Sequence, residues 1–187
     1  MSKEERPKTE KSHVGFLTED EVRAIWECET RYDLTRRMFL FGCFTGLRYS
    51  DITSLKWGNI REDGERLYLS LKQQKTKEML YIPLSSSAVK LLPPKRQKDS
   101  FLVFGQEVLY RQASRHIHYI AKSAGITRRI TFHMSRHTFA TMLVTKDVDL
   151  YTVSKMLGHT NITTTQRYAD VINKKKDEAV DRLPDIF

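Results

Sequence analysis

Between Trp57 and Pro83 the hydrophobic pattern of this 187-residue chain changes period, and that change limits its architecture more than any other feature. Leu67, Leu69 and Leu71 alternate, Glu62-Asp63-Gly64 marks a tight turn, and Met79, Tyr81 and Pro83 end a further strand. Period-two alternation around a turn predicts a small antiparallel sheet. On either side the pattern is helical. Thr18 followed by Glu21 is a capping-box signal that opens a helix carrying Val22, Ile25 and Trp26. A second helix runs from about Asp33 through the apolar stretch Met38–Phe44 to Gly46, and a short one follows around Ser50–Leu55. Pro93-Pro94 and Lys95–Lys98 make a loop, the basic run being read as solvated. Helices are then expected over about Glu107–Ala124, His133–Thr145, Leu150–Leu157 and Thr163–Val171, with Gly125 and Gly158 at helix ends. The predicted fold class is mainly α with one small antiparallel β-sheet (α+β).

Chain length suits one domain with its own core. Residues 1–16 read as a polar arm or linker, 17–172 as the folded domain, and 173–187 as a tail that is basic at Lys174-Lys175-Lys176 and apolar at Leu183, Ile186 and Phe187. No run approaches the roughly twenty apolar residues of a membrane span, and the start MSKEERPKTEKSH is no secretory signal. Cys28 and Cys43 sit in apolar helical contexts and read as buried free thiols, in keeping with a reducing cytoplasm. Lys and Arg number 32 against 23 Asp and Glu, a net charge of +9. Such an excess favours a polyanionic partner, because each neutralised phosphate releases condensed counterions.

Three separated segments concentrate Arg, His and Tyr beyond what packing demands. The first is Thr45-Gly46-Leu47-Arg48-Tyr49-Ser50-Asp51-Ile52, the second His133-Met134-Ser135-Arg136-His137-Thr138-Phe139, and the third Leu157-Gly158-His159-Thr160 with Tyr168 nine positions after the histidine. His133, Arg136 and His137 stand at i, i+3 and i+4 and share one helix face. A cationic cluster there calls for an anion, and phosphate is the natural counter-charge; a solvated basic face is the alternative. The spacing of His133 and His137 also suits a zinc helix. The glutamate of H-E-x-x-H is missing, however, and Arg136 would repel a cation, so no metal is expected. Taken singly, Arg48 reads as a helix-capping donor, Asp51 as its ion-pair partner and Tyr168 as a packing aromatic.

Taken together, these residues resemble the tyrosine recombinase, or phage integrase, family. Thr-Gly-Leu-Arg-x-Ser-Asp, a lysine in a hairpin, His-x-x-Arg-His, Leu-Gly-His and a late Tyr occur here in that order across Leu17 to Val171. The resemblance implies that Arg48 and Arg136 are the two catalytic arginines, His133 and His159 the catalytic histidines, and Tyr168 the nucleophile. Asp51 takes the acidic supporting position, and His137 also supports the site. The catalytic lysine falls in Gln74-Lys75-Thr76-Lys77; Lys75 fits the Lys-Thr pattern, with Lys77 the other candidate. Two guanidiniums suit the charge of a five-coordinate phosphorane through forked donors, where a single lost donor costs roughly 3 kcal/mol. Tyrosine, with a pKa of about 10, needs nearby cations and a proton acceptor such as His133. Lysine can protonate the leaving 5′-oxygen, and His159 can donate to a non-bridging oxygen.

The resemblance further implies a 3′-phosphotyrosyl intermediate, no cofactor, and double-stranded DNA as partner. It implies a homotetramer on DNA that is monomeric when free, with accessory DNA-bending proteins, a cytoplasmic setting and a link to mobile elements. Because family members carry an N-terminal DNA-gripping domain, the expectation here is an isolated catalytic domain that binds DNA weakly alone. The tail is expected to dock on a neighbouring protomer, or else to complete its own core. A type IB topoisomerase, a telomere resolvase and a non-catalytic DNA-binding protein are the competing readings.

Overall fold

A computed structural model describes residues 15–94, 98–105 and 108–168. The arm up to residue 14, the run Lys95-Arg96-Gln97 and the tail fall outside these residues. Thr18 caps α1 (Glu19–Glu27): its side chain accepts from the Glu21 N–H, and the Glu21 carboxylate accepts from the Thr18 N–H. Val22 and Ile25 bury the inner face, while Trp26 is 42% exposed and lies beneath the Arg36 guanidinium. Leu17 is tied down by donating its N–H to the Thr138 hydroxyl at 2.9 Å.

The central element is α2 (Asp33–Thr45), which is packed by α1, α4, α5 and α6. Met38, Phe39, Leu40, Phe41 and Cys43 along it are buried, so from Met38 onward this helix is apolar nearly all round, as a core helix must be. Burial of each such large side chain contributes roughly 1.5–3 kcal/mol. Phe39 meets Phe132 edge-on with ring centroids 5.5 Å apart. Then follow α3 (Tyr49–Thr53), a 3-10 turn at Trp57–Asn59, and the expected sheet of β1 (Ile60–Asp63), β2 (Arg66–Lys72) and β3 (Met79–Pro83). The sheet is antiparallel in the order β1-β2-β3, with Leu69 opposite both Ile60 and Ile82. Leu69, Leu71, Leu80 and Ile82 face the core, and Met79 and Tyr81 point outward.

Beyond the sheet, α4 (Ser86–Leu91) lies where no helix was expected; Ser85 caps it by accepting from the Ala88 N–H. Then come α5 (Tyr110–Ser123), α6 (Met134–Thr145) and α7 (Leu150–Leu157). The helix expected over Thr163–Val171 is corrected: its described part is two 3-10 turns, Ile162–Thr164 and Gln166–Tyr168. Thr163, Thr164 and Thr165 are stiff at χ1, and the Asn161 carboxamide accepts from the Thr163 N–H, so side chains compete with helical bonding. Phe139, Ala140, Val144, Val153, Leu157 and Tyr168 form a second, smaller core between α6, α7 and these turns.

Candidate active site

Gly46 ends α2 at φ 68°, in the left-handed region. A Cβ there would sit 2.5 Å from Phe139 Cδ1 and 2.9 Å from Leu157 Cδ2, so glycine is required for both conformation and close approach. That closeness brings the Gly46 carbonyl, the first turns of α6 and the end of α7 to one point. Arg136, only 3% exposed, donates from Nη1 to the Gly46 carbonyl and from Nη2 to the Leu157 carbonyl, both at 2.7 Å. Part of the anionic demand expected of the α6 face is therefore met by backbone carbonyls. Burial, with Arg48 alongside, pushes Arg136 down to about 9, still protonated at neutral pH.

Arg48 stands at the N-cap of α3, with its Nη1 buried and without a hydrogen-bond partner among the described residues. Burial lowers its pKa while the Asp51 carboxylate raises it. Asp51 is fully buried; its Oδ1 accepts from the Gln74 N–H at 2.8 Å, tying α3 to the β2–β3 hairpin. The expected residues Arg48, Lys75, His133, Arg136, His159 and Tyr168 line one cavity of about 290 Å³, together with His137. Lys77 is not among the residues that line it.

The histidines are held neutral at physiological pH. Burial is the main cause for each, and the surrounding cations add to it: His133 lies below the ordinary imidazole range, His137 at about 3 and His159 at about 4. His133 and His137 meet edge-on with centroids 4.6 Å apart. The His159 Nδ1 shares a hydrogen bond with the Thr165 hydroxyl at 2.9 Å, and Thr165 is fully buried. Tyr168 is 3% exposed, and its hydroxyl lies 2.7 Å from His137 Nδ1. Burial raises the phenol to about 12, and Arg136 and Arg167 oppose that rise.

The structure brings the six expected catalytic residues and His137 to one cavity, with Asp51 buried beside it, and adds neighbours that the sequence did not point to. Thr165 orients His159, Arg167 lines the cavity, and Gln73 is a fully buried amide beneath the lysine hairpin. His137, expected only to support the site, contacts Tyr168 directly. A polar residue directly after the last residue of a strand, such as Gln73, was the one available signal for that position.

The fold is that of tyrosine recombinase catalytic domains. The XerH site-specific recombinase bound to palindromic difH in a post-cleavage complex superposes with a TM-score of 0.71 at 22% identity, over 91% of this chain and 53% of that one. A lambda integrase tetramer bound to a Holliday junction gives 0.68 at 23% identity, over 88% and 50%. Residues 15–175 match the phage integrase family, and the chain belongs to that family. A tyrosine recombinase XerC-like protein of Caldanaerobacter subterraneus is 30% identical over 98% of this chain and 56% of its own length. Tyrosine recombinase XerA of Pyrococcus furiosus is 28% identical over 94% of this chain, which spans 64% of that protein. The chain thus spans between about half and two thirds of the length of these two recombinases.

Proposed function

We propose that the chain is the DNA-cleaving and rejoining module of a site-specific recombinase, working through a 3′-phosphotyrosyl intermediate. The convergence of two arginines, Lys75, His133, His159 and the Tyr168 hydroxyl on one cavity carries this reading. In it, Arg48 and Arg136 clamp the non-bridging oxygens of the scissile phosphate, and the buried Arg48 Nη1 gains a partner. The Tyr168 oxygen attacks phosphorus, a P–O(Tyr) bond forms and the P–O5′ bond breaks. Lys75 gives its proton to the departing 5′-oxygen, and His159 donates to a non-bridging oxygen. The phenol's proton leaves through the histidine pair: His137 holds the hydroxyl, and its ring abuts His133, the family's acceptor. Phosphate entry favours that transfer, because an anion beside the imidazoles raises their pKa values. The 5′-hydroxyl of a second strand reverses the step without an external energy source.

The partner is double-stranded DNA, and the assembly is a homotetramer built from monomers, with accessory DNA-bending proteins. Among the described residues no helix is long and apolar enough to cross a membrane, and we assign the reaction to the cytoplasm of a cell that carries a mobile element or a chromosomal resolution system. The tail docks on a neighbouring protomer. An apolar groove of about 650 Å³, lined by Val22, Trp26, Phe44, Met142 and Met156, suits the apolar side chains of Leu183, Ile186 and Phe187.

The test is covalent capture. Nicked duplexes with a randomised core are incubated with the chain, and adducts that survive denaturing electrophoresis are sequenced. The proposal expects adducts enriched in one core sequence. A DNA-binding protein without chemistry gives none, and a topoisomerase gives adducts without a preferred core.

A further inference from the structure

We propose that Gln73 is a positioning residue for proton transfer: its buried side chain locks the hairpin that carries Lys75 onto the end of α7. The inference rests on the reading of Lys75 as the proton donor to the leaving 5′-oxygen. Gln73 is fully buried just past the end of β2. A carboxamide removed from water stays favourable only when its donor and acceptor are both satisfied. Here Nε2 donates to the Leu157 carbonyl at 3.1 Å, and Oε1 accepts from the Thr76 hydroxyl at 2.7 Å. One side chain therefore joins the hairpin tip to the turn that presents His159.

The Leu157 carbonyl also accepts from Arg136 Nη2, so Gln73 and Arg136 share an anchor. The backbone of Gln73 closes the loop itself, donating to the Glu78 carbonyl at 2.9 Å and accepting from the Lys77 N–H at 3.1 Å. Room for the amide comes from Gly158: a Cβ there would sit 2.5 Å from Gln73 Oε1. Lys75 consequently lies between Gln74, held by Asp51, and Thr76, held by Gln73. A lysine has a long stem and much rotamer freedom, so a fixed backbone on both sides narrows where its ammonium can reach.

A packing role and a positioning role differ in one observable. If the lock aims Lys75, its loss matters only when the leaving group needs a proton. The experiment compares two substrates with the core selected by the wild-type chain, one with the natural 5′-bridging oxygen and one with sulfur, whose thiolate departs without protonation. Gln73→Met keeps the volume and removes both hydrogen bonds. It should slow oxygen-linked cleavage by up to about 100-fold, as misplacement by an ångström does, yet cleave the sulfur-linked substrate near the wild-type rate. Thr76→Val, at a half-buried position, should raise the sulfur-to-oxygen ratio less. That ratio does not depend on how much of the protein is folded. Equal losses on both substrates, with the ratio unchanged, would overturn the proposal. Lys75→Ala is the control. If it too fails to recover on sulfur, the proton-donor reading falls and this inference with it; if it recovers and the Gln73 and Thr76 variants do not, this inference alone is wrong.

Discussion

The Tyr168 hydroxyl and His137 Nδ1 are 2.7 Å apart, which places the phenol on the histidine that follows Arg136 rather than on His133. The contact joins two half-buried or buried groups whose pKa values are driven apart by burial, the imidazole to about 3 and the phenol to about 12. In the free protein the pair is therefore a neutral hydrogen bond.

That neutrality has a consequence for stability. The folded pKa values of His137 and His159 lie below the unfolded value of about 6.5, so the unfolded chain binds more protons as the medium is acidified. Stability is full above about pH 6.5 and falls as pH drops toward about 4 for His159 and about 3 for His137. His137→Gln removes one titrating group while leaving an amide that can still face the phenol. Melting temperature measured from pH 7.5 to pH 4.5 should decline in both proteins, with the shallower slope in the variant. Equal slopes would mean that His137 is not held neutral.

Arg136 bridges two backbone carbonyls from one guanidinium, and lysine has no such fork. Arg136→Lys should therefore do more than abolish cleavage. The Leu157 carbonyl keeps its bond from Gln73 Nε2, so the loss falls on the buried Gly46 carbonyl when the lysine turns away from it, at a cost of about 1–3 kcal/mol. Urea unfolding checks this; unchanged stability would show that this carbonyl finds another partner.

Lys77 sits at φ 61° in the hairpin and does not line the cavity. A left-handed backbone costs an L-residue roughly 1–2 kcal/mol, part of which glycine returns through its freer unfolded state. Lys77→Gly should keep full cleavage and raise stability by up to about 1 kcal/mol. Lost cleavage with a normal Lys75→Ala rate would transfer the proton-donor role to Lys77.

These residues also show what a reader of the sequence can and cannot see. The capping box at Thr18, the alternating leucines of β2 and the αL glycines at 46 and 158 are local signals, and the structure carries each where the pattern places it. The shared face of His133, Arg136 and His137 follows from helical spacing alone. Contacts that cross the chain were not legible. The Gln73 amide meets Leu157 across 84 positions and Arg136 meets Gly46 across 90, and no periodicity encodes such pairs. The turns before Tyr168 were misread for a local reason, because three consecutive threonines and the Asn161 cap offer the backbone alternatives to an α-helix.

The tail proposal is tested by removing Asp177–Phe187. Docking on a neighbour predicts unchanged monomer melting and unchanged single-site cleavage, with synapsis and strand exchange lost. Burial of Leu183, Ile186 and Phe187 contributes roughly 1.5–3 kcal/mol each, so a large fall in monomer melting temperature would show that the tail packs on its own domain.

The central claim is that Tyr168 forms the covalent bond to DNA. The direct measurement is to digest a captured adduct with protease and nuclease and to find, by mass spectrometry, which residue retains a nucleotide remnant. The account predicts a 3′-phosphonucleotide on Tyr168, and no adduct from Tyr168→Phe, which keeps the buried ring and loses only the hydroxyl that meets His137. A remnant on any other side chain, or adducts that persist in the phenylalanine variant, would contradict it.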